Sequence, residues 1–205
     1  MSGAAMNKNI SISLAAVLML AGCNNASSQP PFSDAPLAGA TIGGDFALTD
    51  QDGRKRSYAE FDGQYRIVYF GYTNCPDICT PDVQNLMAGL KTLETSSPDL
   101  AKKVQPIFIT VDPERDTSAV LKQFTAAFHP RLIGLTGTGA EIADVAKKFA
   151  VYYAKVEGSA PDAYLMSHSQ TPYLMAPDGK PLAILPTANE GGPDRVATEL
   201  AKWVR

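Results

Sequence analysis

The sequence predicts an α/β domain with a central mixed sheet flanked by helices, and three observations lead there. Short apolar runs rich in β-branched and aromatic residues recur along the chain, as in Arg66-Ile67-Val68-Tyr69-Phe70-Gly71, which is how buried strands read. Between these runs lie segments whose apolar residues repeat at three and four positions, the spacing of one helix face. Near the C-terminus, Ala176-Pro177-Asp178-Gly179 marks a tight turn and hence an antiparallel hairpin in a sheet otherwise joined by helical crossovers.

The chain opens on a segment of another kind. Met6-Asn7-Lys8-Asn9 carries one positive charge, and Ile10 to Ala21 is almost continuously apolar. That run falls short of the roughly 20 residues of a membrane-spanning helix and has the length of a signal-peptide core. Leu20-Ala21-Gly22-Cys23 resembles the cleavage box of bacterial lipoproteins, in which the cysteine is lipidated and becomes the mature N-terminus. The expectation is a signal peptide over 1–23 ending at a lipidated Cys23. The domain would then sit on the periplasmic side of a bacterial cell envelope, anchored to the membrane. An ordinary secretory peptide with Cys23 as a bystander is the alternative, and Met6 is an alternative start. Residues 24–38, rich in Ser, Pro, Asn and Gln, read as a flexible linker. The folded domain is expected over 39–205.

Within it, Asp45 to Asp50 followed by Gln51-Asp52-Gly53 predicts a strand entering a hairpin turn. Arg66 to Gly71 is the central strand. Pro81 to Leu93 predicts a helix with Val83, Leu86, Met87, Leu90 and Leu93 on one stripe. Val104 to Val111 is the next strand. Asp116 and Thr117 are candidate N-caps for a helix carrying Val120, Leu121, Phe124 and Phe128. Leu132 to Leu135 predicts a short strand. Gly139 to Phe149 predicts a helix with Ile142, Val145, Ala146 and Phe149 inward. Val151 to Val156, a Gly/Ser/Pro loop, the hairpin and a helix over Pro193 to Val204 complete the chain. This order is that of a thioredoxin-like domain.

Composition narrows the function classes. In 205 residues with 45% hydrophobic content, a core can form without disulfides. The net charge of −3 comes from nearly balanced signs, so nothing suggests a nucleic-acid partner. There are three cysteines. With Cys23 assigned to lipid, Cys75 and Cys79 remain as one close pair, too few for a disulfide scaffold. In an oxidising compartment such a pair is a disulfide, a redox couple or a metal site.

The pair lies in Tyr72-Thr73-Asn74-Cys75-Pro76-Asp77-Ile78-Cys79-Thr80-Pro81, between the central strand and the next helix, where parallel sheets place their sites. Residues four apart share a face once helical geometry begins, so both sulfurs can enter one pocket. Unpaired N–H groups at the helix start would favour thiolates. The spacing has three intervening residues rather than the two of a thioredoxin redox motif. It can still close a disulfide, and it also leaves room for an ion. Two soft sulfurs suit Cu(I), and an added nitrogen would also accept Cu(II). Of the two histidines, His129 reads as a surface or C-terminal helix residue. His168, before Tyr173-Leu174-Met175, belongs on a loop leading into a strand of the same sheet. Spacing alone does not bring it to the cysteines.

A family resemblance does. Gly71 to Cys79, Val111-Asp112-Pro113-Glu114-Arg115-Asp116-Thr117, Gly134-Leu135-Thr136-Gly137, and Ser167-His168-Ser169 with Tyr173-Leu174 and Pro177-Asp178-Gly179 together resemble the Sco/SenC family of copper-binding assembly factors. The order is right and the whole folded domain is covered. The resemblance implies a metal site of Cys75, Cys79 and His168 holding one copper ion per domain. It also implies a metallochaperone whose client is subunit II of cytochrome c oxidase or another cuproprotein, served by copper delivery or thiol maintenance. Two departures stand out. Thr80 occupies a position where the family more often has proline, and Ser167 replaces an acidic residue before the histidine, which bears on how His168 is tuned. Asp77 and Asp112 read as turn and strand-end residues, with local negative charge as the alternative.

Two enzymatic readings compete. A thiol–disulfide oxidoreductase would use Cys75 and Cys79 as its redox-active pair, leaving His168 without a required task. A peroxide-reducing enzyme would need a cation beside its cysteine, with Arg115 the nearest candidate in the motifs.

Overall fold

The computed structural model describes residues 29–76, 78–158 and 164–205, with positions 1 and 3. The expected signal peptide with Cys23, the residue Asp77 and positions 159–163 of the Gly/Ser/Pro loop lie outside the described residues.

Strands β1 (Ala47–Asp50) and β2 (Lys55–Ser57) form the N-terminal hairpin. Its turn is held by the buried Asp50 carboxylate, which accepts the backbone N–H groups of Asp52 and Arg54, each at 2.9 Å. Strand β3 (Tyr65–Gly71) is buried along its whole length. It even encloses Arg66, whose guanidinium donates to Asp62 and to the Ala176 carbonyl. Helix α1 (Cys79–Ser96) and the short α2 (Pro98–Ala101) lead to β4 (Val104–Thr110), which runs parallel to β3. Helix α3 (Ser118–Phe128) leads to β5 (Ile133–Thr136), parallel to β4. Helix α4 (Gly139–Lys148), β6 (Tyr153–Val156), β7 (Leu165–His168), β8 (Tyr173–Met175), β9 (Pro181–Ile184) and α5 (Gly192–Trp203) follow.

Among the described residues, seven strands form one mixed sheet in the order β2-β1-β5-β4-β3-β8-β9, with β1 and β8 antiparallel to their inner neighbours. Side chains of β3 alternate between its faces. Tyr69 points toward α1, where its hydroxyl reaches Asp82. Phe70 meets Phe149, just past α4, with ring centroids 5.5 Å apart. The sheet is therefore covered on both sides, and loops at the carboxyl end of β3 are held between packed layers.

Several details depart from expectation. Val120 is exposed, while Leu121 and Thr125 are the buried residues of α3. The helix lies close over Gly134, where a Cβ would stand 2.9 Å from the Thr125 methyl, and that contact fixes which face turns inward. Thr117 alone caps α3, accepting from the Val120 N–H at 3.4 Å; Asp116 is turned into the interior. His129 stands at the C-terminal end of α3, as read, but is buried rather than at the surface: its Nδ1 accepts from the Arg131 N–H at 3.1 Å and its Nε2 lies 3.3 Å from Glu94. Finally, residues 29–38 of the stretch assigned to a linker are seated on the domain. Ala35 is buried and the Leu37 N–H donates to the Leu182 carbonyl at 3.0 Å. Their few apolar side chains suffice to dock them despite the polar composition.

Candidate metal centre

The site begins where β3 ends. A Cβ on Gly71 would stand 3.0 Å from the Phe108 ring and 3.4 Å from the Cys79 sulfur, so the small residue admits that sulfur against the strand end. The loop then turns through Tyr72 and Thr73. Thr73 is tied to the next strand through Asp116, whose carboxylate accepts the Thr73 N–H at 3.0 Å and the Thr73 hydroxyl at 2.6 Å. The same carboxylate accepts the Thr110 hydroxyl of β4 at 2.6 Å. Asp116, read as a helix cap, is thus the clamp of the cysteine loop.

Cys75 is half-buried in the loop, and Cys79 is buried as the first residue of α1. The Cys79 N–H, one of the unpaired donors of a helix start, points at the Cys75 sulfur at 3.3 Å. His168 arrives from elsewhere. It ends β7, which pairs with β6 in a separate two-stranded ribbon from Tyr153↔His168 to Val156↔Leu165. The expectation of a loop leading into the main sheet is corrected accordingly: the chain enters that sheet only at β8. The ribbon sets the imidazole over the sulfurs, with Nε2 3.1 Å from Cys79 Sγ. Nδ1 lies 2.9 Å from the Ser169 carbonyl. A carbonyl only accepts, so Nδ1 carries the proton and Nε2 turns its lone pair to the sulfur. Tyr69 and Tyr72 flank the ring edge-on, at 6.4 and 6.0 Å between centroids. The ligand atoms of Cys75, Cys79 and His168 all lie within 4.8 Å of one another.

Burial dominates the electrostatics. It pushes the Cys79 thiol well above its ordinary range, and the hydrogen bond with Cys75 adds to the rise. The expected thiolate preference at the helix start is reversed for Cys79, because desolvation outweighs the helix-terminal N–H groups. Burial lowers the His168 pKa, against the Ser169 carbonyl and the Asp82 charge. The metal-free pair is a neutral thiol facing a neutral imidazole. Beneath it, the buried Asp82 accepts the Tyr69 hydroxyl at 2.9 Å and the Ala188 N–H at 2.8 Å. Sequence reasoning passed over Asp82, since an acid in a first helical turn reads as a dipole partner. Its position inside an otherwise apolar stripe was the available signal.

The remaining motif residues buttress the site. Asp112 accepts the Tyr164 hydroxyl at 2.8 Å and pairs with Arg115 Nε at 2.5 Å. The Arg115 guanidinium lies over the Tyr164 ring at 3.7 Å. Arg115, the cation that the peroxide-reducing reading required, is engaged by Asp112, by the Tyr164 ring and carbonyl, and by the Tyr72 ring at 5.9 Å. A cleft of about 260 Å³ opens beside the sulfurs, lined among others by Tyr72, Cys75, Ile78, Met166 and His168. Two soft sulfurs and an imidazole nitrogen converging on one point suit a thiophilic cation.

Comparison with known proteins gives the same direction. The SCO1/SenC family matches residues 34–205. The mitochondrial Protein SCO2 homolog of Bos taurus is 46% identical over 144 residues, 70% of this chain and 53% of that protein. The chain spans about half the length of the mammalian curated relatives it matches. The structure of Bradyrhizobium japonicum ScoI with copper bound is similar at TM-score 0.71 and 37% identity, over 80% of this chain and 99% of that one. BsSco, described as a Sco-family cytochrome c oxidase assembly protein with a disulfide switch, is similar at TM-score 0.60 and 27% identity, over 80% and 94%. The likeness to these structures, with the mixed sheet between helices, makes the fold α/β and thioredoxin-like.

Proposed function

Because the chain belongs to the SCO1/SenC family, we propose that it is a copper metallochaperone whose Cys75, Cys79 and His168 hold one copper ion. It delivers that ion to the copper centre of cytochrome c oxidase subunit II or another cuproprotein client, or maintains the client's thiols. The observation that carries this reading is the convergence of the three ligand atoms within 4.8 Å. Donor chemistry supports it: two thiolates favour Cu(I), and the imidazole extends the set toward Cu(II). The Nδ1 bond to Ser169 holds the ring in the tautomer that leaves Nε2 free to ligate. Support for the cargo and client comes from the copper bound in Bradyrhizobium japonicum ScoI and from the assembly role ascribed to BsSco. The Thr80 and Ser167 departures leave all three donors in place.

The domain works, on this reading, outside the cytoplasmic membrane of a bacterial cell, anchored through lipid on Cys23 after removal of the signal peptide. The apolar run and the Leu20-Ala21-Gly22-Cys23 box support that anchor. Among the described residues no helix is long and apolar enough to cross a membrane.

The test is metal analysis and chelator competition on anaerobically purified protein. One copper per chain is expected. His168→Ala should weaken copper retention by at least about tenfold while both thiols remain titratable. Unchanged affinity in that variant would defeat the three-ligand site. A thiol–disulfide oxidoreductase remains the second reading, favoured by the Cys79 N–H directed at the Cys75 sulfur. It predicts turnover of protein disulfides by copper-free chain, and inactivity with titratable thiols removes it.

A further inference from the structure

Met166 lies two residues before His168 on the same strand, β7. Side chains two apart on a strand share a face, and burial in β7 alternates accordingly. Leu165 and Ser167 are exposed, while Met166 and His168 are half-buried. Residues two apart are separated by about 6.5–7 Å along a strand, a gap that the flexible, unbranched methionine side chain can span. Met166 joins Cys75 and His168 in lining the cleft of about 260 Å³ beside the sulfurs. It also lines a neighbouring cavity of about 400 Å³, with Tyr153, Lys155 and Tyr164. Among the described residues it is the one common to both. Met166 therefore borders both cavities.

We propose, resting on the copper reading above, that the Met166 thioether is an auxiliary ligand that joins Cys75, Cys79 and His168 as a fourth, weak donor. Thioether sulfur is a soft ligand suited to Cu(I), and a long, weak methionine bond is a recurrent companion of imidazole–thiolate copper sites. Turning toward the ion completes its coordination. Turning toward the second cavity vacates the fourth position, where an incoming client ligand can begin the exchange. Met166 thus serves retention in one rotamer and release in the other.

Selenium labelling tests this directly. The full chain, with its six methionines replaced by selenomethionine, is loaded with one equivalent of Cu(I), and X-ray absorption is recorded at the selenium edge. A selenium–copper scattering path is expected in the wild type and absent in Met166→Leu, which keeps apolar volume. The variant should still bind one copper but lose it to a Cu(I) chelator about tenfold more readily. A copper-loaded wild type without that path, or a path that persists in Met166→Leu, overturns the proposal. A chain that takes up no copper in the preceding metal analysis overturns the proposed function and this inference with it, and is told apart by that measurement.

Discussion

On the proposed function, copper and protons compete for the same lone pairs at this site. The Cys79 thiol is held protonated by burial, while its imidazole neighbour is held neutral. A bound cation must expel at least the Cys79 proton. Raising the pH lowers the proton activity against which the metal competes, so binding tightens as pH rises. Apparent Cu(I) affinity should climb at least about tenfold per pH unit between roughly pH 6 and 8, read by competition with a chelator of known pH dependence. A flat profile would contradict a buried, protonated sulfur. A second single residue controls the loop itself. Asp116 accepts three hydrogen bonds, two of them from Thr73. Asp116→Ala leaves the Thr73 N–H and two hydroxyls without that acceptor, at about 1–3 kcal/mol for each group left unsatisfied. Part of this is relieved when the loop opens to water, so a net loss of about 2–4 kcal/mol in urea unfolding is expected. Amide exchange across Thr73 to Ile78 should rise with it. A variant as stable as the parent would mean that the loop holds itself.

At the scale of elements, the contact between α1 and α5 depends on an absence. Alanine ordinarily stabilises a helix interior over glycine by about 1 kcal/mol. At Gly89, however, a Cβ would stand 2.5 Å from Val196 Cβ and 2.8 Å from the Pro193 carbonyl, and Val196 is fully buried. Overpacking of this kind costs about 1–3 kcal/mol and outweighs the propensity gain. Gly89→Ala should lower the urea midpoint, and adding Val196→Ala should recover part of the loss as a non-additive pair. Equal destabilisation with and without the second change would place the strain elsewhere. The stripe on α1 was readable in the sequence because Val83, Leu86, Leu90 and Leu93 follow the helical period and are all buried. The glycine's reason was not, since it lies on a helix more than a hundred positions away. The ribbon of β6 and β7 was hidden for a related cause. Four-residue strands carry little periodic signal, and their pairing is decided by what they cover. His168 could therefore be named from its motif, whereas its contact with Cys79 required the ribbon. Asp116 misled because local capping chemistry and long-range clamping ask for the same residue type.

Across the whole molecule, the N-terminal strap joins parts that the sheet alone leaves separate. Gln29 donates to the Ala201 and Val204 carbonyls at 2.7 and 2.9 Å, at the end of α5 where helical carbonyls lack internal partners. Phe32 meets Tyr65 edge-on at 6.3 Å and lies under the Arg205 guanidinium at 3.6 Å. The Leu37 N–H donates to Leu182 in β9. The strap thereby links α5, the start of β3 and the edge strand β9. Composition gave residues 29–38 to a linker because prolines punctuate it, and its apolar side chains, Phe32, Ala35, Leu37 and Ala38, were too few to register as an element. If composition were right, a chain beginning at residue 39 would unfold with the same free energy as one beginning at residue 29. The contacts argue otherwise. Each of the three hydrogen bonds contributes about 0.5–1.5 kcal/mol net, and the ordering entropy of the strap offsets part of the sum. The shorter chain should be less stable by about 2–3 kcal/mol, with the exchange of α5 amides accelerated most, because its last carbonyls lose their donor. Equal urea midpoints and unchanged α5 protection would return residues 29–38 to the role of a passive tether.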